Sequence, residues 1–306
     1  MNLEKSYMKK EKLEQEGKIF FQSDLSSYTW MKTGGKAKIF FIPNDIDGLK
    51  NFLKSLHKTI PIFTLGAGSN TLFRDLGFDG VVIKLSKNFD YITLLSDQEF
   101  IVGAATNCIK VARTLAKKNA SGLEFFSGIP GSIGGAIKMN SGAYGSETSQ
   151  YIKKIKVINR EGDIKIINPD DYEMSYRKTT FPDEYIFLEA IFKYNKSEHN
   201  FEGLNKIKEL TKTRNLSQPI TKKTSGSTFK NPKNMKAWQL IKDSCGEGLK
   251  VGKASISSKH SNFLINEGGA TSSEIEELGE KIRQRVWNKF GIKLNWEIKI
   301  VGKKSR

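Results

Sequence analysis

The segment GIPGSIGGAIKMNSGAYG, residues 128–145, contains six glycines in eighteen positions. The whole chain has 27 glycines in 306 residues, which would place about 1.6 in a segment of that length (27/306 × 18). Glycine loses much conformational entropy on folding and is weak in helix and strand interiors, so this concentration needs another reason. We interpret the segment as a loop with successive accessible N–H groups, which can wrap an anion such as a diphosphate.

Two familiar glycine motifs do not fit this segment. A dinucleotide fingerprint requires G-x-G-x-x-G between a strand and a helix, whereas these glycines are spaced differently and Pro130 lies among them. The phosphate loop G-x-x-x-x-G-K-[ST] is not completed at Gly35-Lys36 or at Gly252-Lys253. A tightly packed chain crossing that binds no ligand is the alternative interpretation.

A second glycine turn, Gly66-Ala67-Gly68-Ser69-Asn70, follows the strand-like run PIFTL. Either turn alone is a weak signal. Two glycine turns that each lie close to a predicted strand can hold two sides of one long phosphorylated ligand. Together they favour a dinucleotide.

The composition is that of a globular protein with two or three domains: 38% of the residues are hydrophobic and 27% are charged. The net charge of +17 suits nucleic acid, an anionic membrane surface or small polyanions. However, the lysines are scattered, with no block of like charges and no nucleic-acid module. We therefore predict neither a nucleic-acid nor a membrane partner.

The start of the chain has no apolar signal segment, and no apolar run approaches the roughly 18 residues that span a bilayer. Cys108 and Cys245 lack C-x-x-C spacing, and His57, His199 and His260 lack metal-ligand spacing. We predict a cytoplasmic protein without disulfides or a bound metal.

Hydrophobic periodicity predicts an α+β chain rather than a regular βαβ series. The predicted strands are KIFFIP (38–43), PIFTL (61–65), GVVIKL (80–85), the hairpin IKVINREGDIKII (155–167), the central strand YIFLEAIFKY (185–194), SNFLIN (261–266) and LNWEIKIV (294–301). The predicted helices are 46–56, 107–118, a polar stretch near 197–215, 235–242 and a helix that Ser273 and Glu276 open as a capping box and Gly291 ends. Residues 1–18 are predicted to be a charged lead-in.

Four motifs occur in a fixed order along the chain: LGAGSN at 65–70, GIPGSIGGAIKMNSGAYG at 128–145, SYR at 175–177 and GSTFKNP at 226–232. In this order and at these intervals they resemble the UDP-N-acetylenolpyruvoylglucosamine reductase family, the MurB-type flavoenzymes of bacterial peptidoglycan synthesis. The resemblance runs from about Thr33 to Glu297. The short stretch after Glu297 resembles the shorter subclass of that family.

The resemblance implies an α+β fold, with a two-lobed FAD-binding domain of the vanillyl-alcohol-oxidase (PCMH) type and a smaller α+β substrate domain. We expect the FAD-binding domain at 1–205, with lobes at about 19–86 and 87–205. The substrate domain is expected at 206–306, with its final strand a candidate to return to the first lobe. The implied cofactor-side residues are Gly66, Gly68, Ser69, Asn70, Gly128, Ile129, Gly131, Gly134, Gly135, Asn140 and Gly142.

The resemblance also implies three catalytic residues. Arg177 can place two parallel N–H donors on a carboxylate, although a single arginine can equally form a structural ion pair. Ser227 has an accessible hydroxyl beside Gly226, although a serine there can also serve as a cap or turn residue. Glu297 falls on the polar face of the predicted final strand, where simple solvent exposure is the alternative. The implied substrate-side residues are Lys230, Asn231 and Asn262.

The implied reaction passes a hydride from NADPH through non-covalently bound FAD to the enolpyruvyl ether of UDP-N-acetylglucosamine. Ser227 would then protonate the α-carbon, and Arg177 and Glu297 would stabilise the enolate. The product would be UDP-N-acetylmuramate, and we expect the enzyme to be a monomer.

Two rival interpretations stay open at this point. Another FAD-dependent oxidoreductase of the same cofactor-binding superfamily, acting on sugars or alcohols, would leave GSTFKNP unexplained. Its covalent members attach FAD through His or Cys, and neither occurs in 128–145. A non-enzymatic basic protein that binds nucleic acid would leave all four ordered motifs unexplained, and it would be colourless rather than yellow.

Overall fold

A computed structural model describes residues 14–197, 199, 201–245 and 248–304, so residues 1–13 of the predicted charged lead-in lie outside the described part. The α-helices in this part are α1 Ile46–Ser55, α2 Cys108–Ala116, α3 Ile133–Lys138, α4 Glu202–Ser217, α5 Ala237–Cys245 and α6 Ser272–Phe290. The first strands are β1 Gly17–Asp24, β2 Lys36–Pro43, β3 Ile62–Thr64, β4 Thr71–Phe73, β5 Phe78–Ile83, β6 Ile92–Leu94, β7 Glu99–Gly103, β8 Ala120–Ser121, β9 Gly142–Ala143 and β10 Ser146–Glu147. The later strands are β11 Ile152–Ile158, β12 Ile164–Ile167, β13 Met174–Ser175, β14 Lys178–Thr179, β15 Ile186–Lys193, β16 Asn195–Lys196, β17 Lys250–Val251, β18 Ala254–Ile256, β19 Leu264–Asn266 and β20 Lys299–Val301.

The chain forms two compact units, each assembled from separate stretches. Unit 1 comprises the described residues of Met1–Phe21, Ile39–Ala67 and Gly80–Lys212. Unit 2 comprises those of Gln22–Lys38, Gly68–Asp79 and Thr213–Arg306. The predicted division between residues 205 and 206 falls inside α4, and the domain boundaries stay a prediction.

Unit 1 contains a five-stranded antiparallel sheet of order β12-β11-β15-β7-β6. The predicted central strand is confirmed, because β15 pairs with β11 on one side and with β7 on the other. The predicted hairpin is confirmed by the pairing of β11 with β12. Phe100, Phe126 and Phe192 are fully buried against helices α2 and α3, and the core of unit 1 forms there.

A second hydrophobic cluster in unit 1 forms around α1 and the sheet of order β1-β2-β5-β3. Leu49, Phe52 and Leu53 occupy one face of α1 at helical spacing, and all three are buried. The Phe52 ring stacks on Phe41 of β2, with 3.7 Å between the centroids. Asp45 caps the helix by accepting a hydrogen bond from the N–H of Gly48 at 2.8 Å.

Unit 2 contains the antiparallel sheet β17-β18-β19 and the parallel pair β4-β20, with α5 and α6 packed in the same hydrophobic core. The predicted apolar stripe of α6 is confirmed, and its four members are fully buried: Ile275, Leu278, Ile282 and Val286. Gly291 ends the helix in the left-handed conformation, with φ +65°, as predicted.

The predicted start of α6 is wrong by two residues. The capping box is formed by Thr271 and Glu274 rather than by Ser273 and Glu276. Ser273 is already inside the helix, where its N–H and hydroxyl donate to Asp75. Three hydroxyl residues in succession, Thr271, Ser272 and Ser273, made both cap positions plausible from the sequence alone.

The predicted final strand is longer than the observed one. Only β20 pairs regularly, with Lys299 opposite Thr71 of β4. Glu297 therefore precedes the strand instead of lying on its polar face. The physical reason is a competing partner, since the N–H of Glu297 donates to the carbonyl of Thr228 at 2.8 Å.

Among the described helices, none combines the length and the apolar composition needed to cross a membrane.

Candidate functional site

The glycine-rich segment 128–145 lies in unit 1 and is more regular than predicted. It contains α3, whose N-cap Ser132 accepts a hydrogen bond from the N–H of Gly135 at 3.4 Å. The N–H groups of Ile133 and Gly134 donate at 2.9 Å to carbonyls of the loop that precedes α2. From Ile133 onward the predicted run of accessible N–H groups is wrong, because α3 and this loop take up the donors.

Several glycines of the segment are required by the packing of the chain itself. A Cβ atom at Gly128 would lie 2.6 Å from the ring of Tyr144. At Gly142 it would lie 2.6 Å from the carbonyl oxygen of Ser146. The tight-packing interpretation accounts for these two glycines without any ligand, and their contact with a cofactor stays a prediction.

Two further candidates of the segment contribute backbone or core contacts. Ile129 is buried in the core of unit 1. The carbonyl of Gly131 accepts a hydrogen bond from the N–H of Cys108 at 2.9 Å, which fixes the segment at the start of α2. Any contact of either residue with a cofactor would be made alongside this structural role.

The second glycine turn begins in unit 1 with Gly66 and Ala67. A Cβ atom at Gly66 would lie 2.5 Å from the Oγ of Ser132, so the two predicted cofactor segments are neighbours. The Nζ of Lys84 donates to the carbonyl of Gly66 at 2.8 Å. Within the described part of the chain, the N–H groups of Gly66, Ala67, Gly131 and Ser132 have no protein acceptor.

The surroundings of this turn fit an anionic, phosphorylated ligand. Lys84 is half-buried, burial lowers the pKa of its ammonium group, and no carboxylate of the described residues lies within ion-pair distance of it. Directly before the glycine-rich segment, the buried hydroxyl of Ser127 has no hydrogen-bond partner among the described residues. Unpaired N–H groups, an ammonium without a counter-ion and an orphaned hydroxyl are the features that a diphosphate and flavin edge would satisfy.

Arg177 lies at the tip of a two-residue hairpin in unit 1. Strands β13 and β14 pair antiparallel, and Tyr176 and Arg177 form the turn between them. The Arg177 backbone is left-handed, with φ +55°. Its Nη2 donates to the carbonyl of Gly142 at 2.9 Å, and the Tyr176 ring centroid lies 5.1 Å from its Cζ. The guanidinium group therefore lies beside the glycine-rich segment.

Ser227 lies in unit 2, in a segment that is held from both sides. It forms an isolated antiparallel bridge with Phe263. The next residue, Thr228, donates from its N–H to the carbonyl of Asn262 at 2.7 Å and accepts from the N–H of Glu297 at 2.8 Å. The structure therefore brings the segments of Ser227 and Glu297 together, as the prediction of a shared site requires.

Three cofactor-side candidates, Gly68, Ser69 and Asn70, lie in unit 2. Gly68 has φ +70°, and a Cβ atom there would lie 2.0 Å from the carbonyl oxygen of Tyr28, so only glycine fits. Ser69 is half-buried. The Nδ2 of Asn70 donates to the carbonyl of Glu297 at 3.0 Å, which anchors the backbone of that residue.

The three predicted substrate-side residues have different surroundings. Asn262 is buried, and its amide both accepts from the N–H of Phe229 (3.0 Å) and donates to the Phe229 carbonyl (2.8 Å). The Oδ1 of Asn231 accepts from the N–H of Ala237 at 2.9 Å at the start of α5. Lys230 is half-buried. The two asparagines thus shape the backbone, and substrate contact stays a prediction for all three.

The sequence reasoning missed two residues, Thr228 in unit 2 and Lys84 in unit 1. Thr228 is fully buried, and its carbonyl and hydroxyl both accept backbone hydrogen bonds, from Glu297 and Leu264. Its place inside GSTFKNP was the available signal. Lys84 gave no signal, because a lysine after a buried strand is usually solvent-exposed.

No group of three or more His, Cys, Asp or Glu side chains within the described residues is arranged to hold a metal ion.

Two family profiles match the sequence of the chain. The profile described as "UDP-N-acetylenolpyruvoylglucosamine reductase, C-terminal domain" matches residues 218–301. The profile described as "FAD binding domain" matches residues 37–168. The second match includes both glycine segments and therefore confirms the predicted FAD-binding domain.

Curated relatives extend these matches over nearly the whole chain. A UDP-N-acetylenolpyruvoylglucosamine reductase of Rickettsia akari is 43% identical over 285 residues, which cover 92% of this chain and 96% of the relative. One of Caulobacter vibrioides is 41% identical over 290 residues, with 94% and 96% covered. The crystal structure of UDP-N-acetylenolpyruvylglucosamine reductase from Thermus caldophilus superposes with a TM-score of 0.80 at 30% identity, covering 93% of this chain and 98% of that one. The predicted α+β fold class is confirmed.

Proposed function

Because the chain belongs to the UDP-N-acetylenolpyruvoylglucosamine reductase family, we propose that it reduces the enolpyruvyl ether of UDP-N-acetylglucosamine to UDP-N-acetylmuramate, a step of peptidoglycan synthesis. NADPH and a proton are consumed and NADP⁺ is formed. The observation that carries the proposal is the 43% identity to a named reductase over 92% of the chain. The FAD-binding domain at residues 37–168 supplies the redox cofactor that such a reduction requires.

FAD bound at the glycine segments would supply the redox chemistry that links the reduced nicotinamide to the β-carbon of the substrate double bond. The residues of the chain then have to manage the charge that develops at the α-carbon. We assign the proton for that carbon to the hydroxyl of Ser227. A serine is a weak acid, so it transfers its proton only to a strongly basic carbon that is held in contact with it. The two-sided support of Thr228 is suited to keeping Ser227 in place.

Arg177 is assigned to the substrate carboxylate. Its planar guanidinium group presents two parallel N–H donors, and the bond from Nη2 to the carbonyl of Gly142 orients the plane. As the α-carbon becomes an enolate, the charge spreads onto that carboxylate, and the interaction with Arg177 strengthens.

Glu297 is assigned to the same enolate. An ionised carboxylate only accepts hydrogen bonds, so Glu297 can stabilise the anion only as the protonated acid. Its backbone is anchored on both sides, by the Thr228 carbonyl and by the Asn70 amide. We assign Lys230 and Asn231 to the diphosphate or uridine end of the substrate.

We also propose that FAD is held non-covalently, that NADPH is the electron donor, and that the enzyme acts as a monomer in the cytoplasm. The two cysteines, Cys108 and Cys245, are free buried thiols, which suits a reducing compartment.

Stopped-flow spectroscopy of the purified yellow protein tests the proposal. We expect heat or acid to release intact FAD, NADPH to bleach the flavin, and the enolpyruvyl sugar nucleotide to restore the colour while forming a product heavier by two hydrogens. A colourless protein that takes up no added FAD would contradict the assignment. The assignment would also be contradicted if sugars or alcohols reduced the flavin and the enolpyruvyl substrate did not reoxidise it.

A further inference from the structure

The hairpin that carries Arg177 is attached to the glycine-rich segment at every second residue. The three hydrogen bonds run from Thr179 Oγ1 to the carbonyl of Lys138 (2.8 Å), from Asn140 Nδ2 to the carbonyl of Ser175 (3.2 Å), and from Arg177 Nη2 to the carbonyl of Gly142 (2.9 Å). Residues 138, 140 and 142 thus form a row along one edge of the hairpin. Of the three bonds, only the one from Asn140 uses a side chain of the glycine-rich segment.

Asn140 is built into this row rather than exposed to a ligand. It is fully buried and left-handed, with φ +40°, a conformation that asparagine adopts more readily than most residues. Its Oδ1 accepts from the N–H of Ser149 at 2.9 Å while its Nδ2 donates to Ser175. Both ends of the amide are therefore engaged by backbone groups, and the full burial of Asn140 argues against a contact with the cofactor.

Arg177 depends on such support because its own backbone is unfavourable. A left-handed conformation costs a non-glycine residue roughly 1 kcal/mol and persists only where neighbouring contacts impose it. Ser175 lies two residues before Arg177, at the end of β13 that leads into the turn. The bond from Asn140 to the Ser175 carbonyl is thus the side-chain contact that fixes the approach to the turn.

We infer that Asn140 is a positioning residue for Arg177, acting through the carbonyl of Ser175, and not a ligand of the cofactor. The inference rests on the proposed function, in which Arg177 binds the substrate carboxylate. It means that the segment predicted to face the flavin also sets the direction of the substrate-binding arginine. Displacing Asn140 therefore turns the hairpin tip while the backbone of the segment keeps its place.

A double-mutant cycle between Asn140 and Arg177 tests the inference. Asn140→Asp keeps the acceptor for Ser149 and tolerates the left-handed backbone, but it replaces the donor to Ser175 with an oxygen that repels the carbonyl. We expect the reoxidation of reduced flavin by the enolpyruvyl substrate to slow about tenfold, with an equal rise in the substrate Kd. FAD content and the rate of flavin reduction by NADPH should stay at wild-type values. In the Arg177→Lys background the same substitution should change reoxidation less than about twofold.

Asn159→Asp is the matched control, because it places the same charge at a buried asparagine of unit 1, in the β11–β12 hairpin. It should lower the melting temperature and leave both half-reactions unchanged.

Additive effects of the Asn140 and Arg177 substitutions would overturn the inference. An Asn140→Asp protein that loses FAD, or that accepts electrons from NADPH slowly, would overturn it as well. If Asn140→Asp does not fold, Asn140→Gly replaces it in the double-mutant cycle, because glycine accepts the same φ. The same outcomes then support or overturn the inference. A wild-type enzyme that the substrate does not reoxidise would instead contradict the proposed function.

Discussion

The hairpin that carries Arg177 and the segment that carries Ser227 hold their proposed catalytic residues in opposite ways. Arg177 has a left-handed backbone at the tip of its hairpin, and side-chain hydrogen bonds attach this hairpin to the glycine-rich segment. Ser227 precedes a fully buried threonine whose backbone is bonded on both sides. The first arrangement holds a charged group through side-chain hydrogen bonds, whereas the second holds a small hydroxyl through backbone hydrogen bonds. A proton donor needs a fixed position more than a carboxylate-binding group does.

The largest effect is expected for the fixed residue. Ser227→Ala removes one hydroxyl and keeps the bonds of Thr228, so the fold and the FAD content should be unchanged. Flavin reduction by NADPH does not use this proton and should keep its rate. Reoxidation by the substrate should fall by ~10²–10⁴-fold, the usual contribution of a general acid, which stopped-flow absorbance at the flavin band would measure directly.

Ser227→Cys sharpens that result. A thiol also donates a proton, from a larger atom in the same rigid position, so part of the lost rate should return. If alanine and cysteine variants both reoxidise at the wild-type rate, another group protonates the carbon and Ser227 has only a structural role.

A smaller effect is expected for Arg177. Arg177→Lys keeps the charge but loses the planar fork and the bond to the carbonyl of Gly142. The loss of a hydrogen bond to a charged group corresponds to about 1.5–3 kcal/mol, or roughly 10–100-fold in the substrate half-reaction. The rate of reduction by NADPH serves as the internal control. Wild-type reoxidation in this variant would mean that Arg177 does not bind the substrate carboxylate.

The support of the Ser227 segment can be weakened without touching the serine. Asn262→Ala leaves the buried N–H and carbonyl of Phe229 without their partner, which should lower the free energy of unfolding by about 1–3 kcal/mol. Urea unfolding would measure the change. Asn295→Ala is the matched control, since Asn295 is exposed and supports Lys230 through its backbone carbonyl only. Equal losses in the two variants would show that the Asn262 amide is not needed.

The sequence predicted the parts of this site that depend on local patterns. Glycine spacing and motif order located the FAD-binding domain, and periodicity located β15 and the stripe of α6 correctly. It did not predict contacts that depend on tertiary pairing. Glu297 was placed in a strand because the alternation of LNWEIKIV is strand-like, yet its N–H is taken by Thr228. Asn140 was assigned to the cofactor side on the family resemblance, and nothing local indicates that its amide bridges Ser149 and Ser175.

The smallest expected effect is a response to acid that distinguishes the two units. In unit 2, the Nε and Nη2 of Arg74 donate to the two carboxylate oxygens of Glu276 at 2.8 and 2.9 Å. These hydrogen bonds lower the pKa of Glu276 below its ordinary value, so the ionised form is the one that stabilises the fold. The Arg177 hairpin of unit 1 instead uses carbonyl acceptors, which do not titrate.

A carboxyl group with a lowered folded-state pKa contributes stability that is fully present above its unfolded pKa, near 4.3, and is lost as the pH falls through the folded value. Glu276→Gln should therefore unfold about 1 kcal/mol more easily than the wild type at pH 7, and the difference should shrink as the pH falls below about 4.3. All four tryptophans of the chain, Trp30, Trp238, Trp287 and Trp296, belong to unit 2, so their fluorescence during urea unfolding reports this unit. Glu280→Gln is the control, because Glu280 pairs with Arg283 at an exposed site of the same helix and should change stability little at any pH. A Glu276→Gln deficit that stays constant from pH 7 to pH 3 would mean that packing, and not the charge on Glu276, stabilises the unit that holds Ser227.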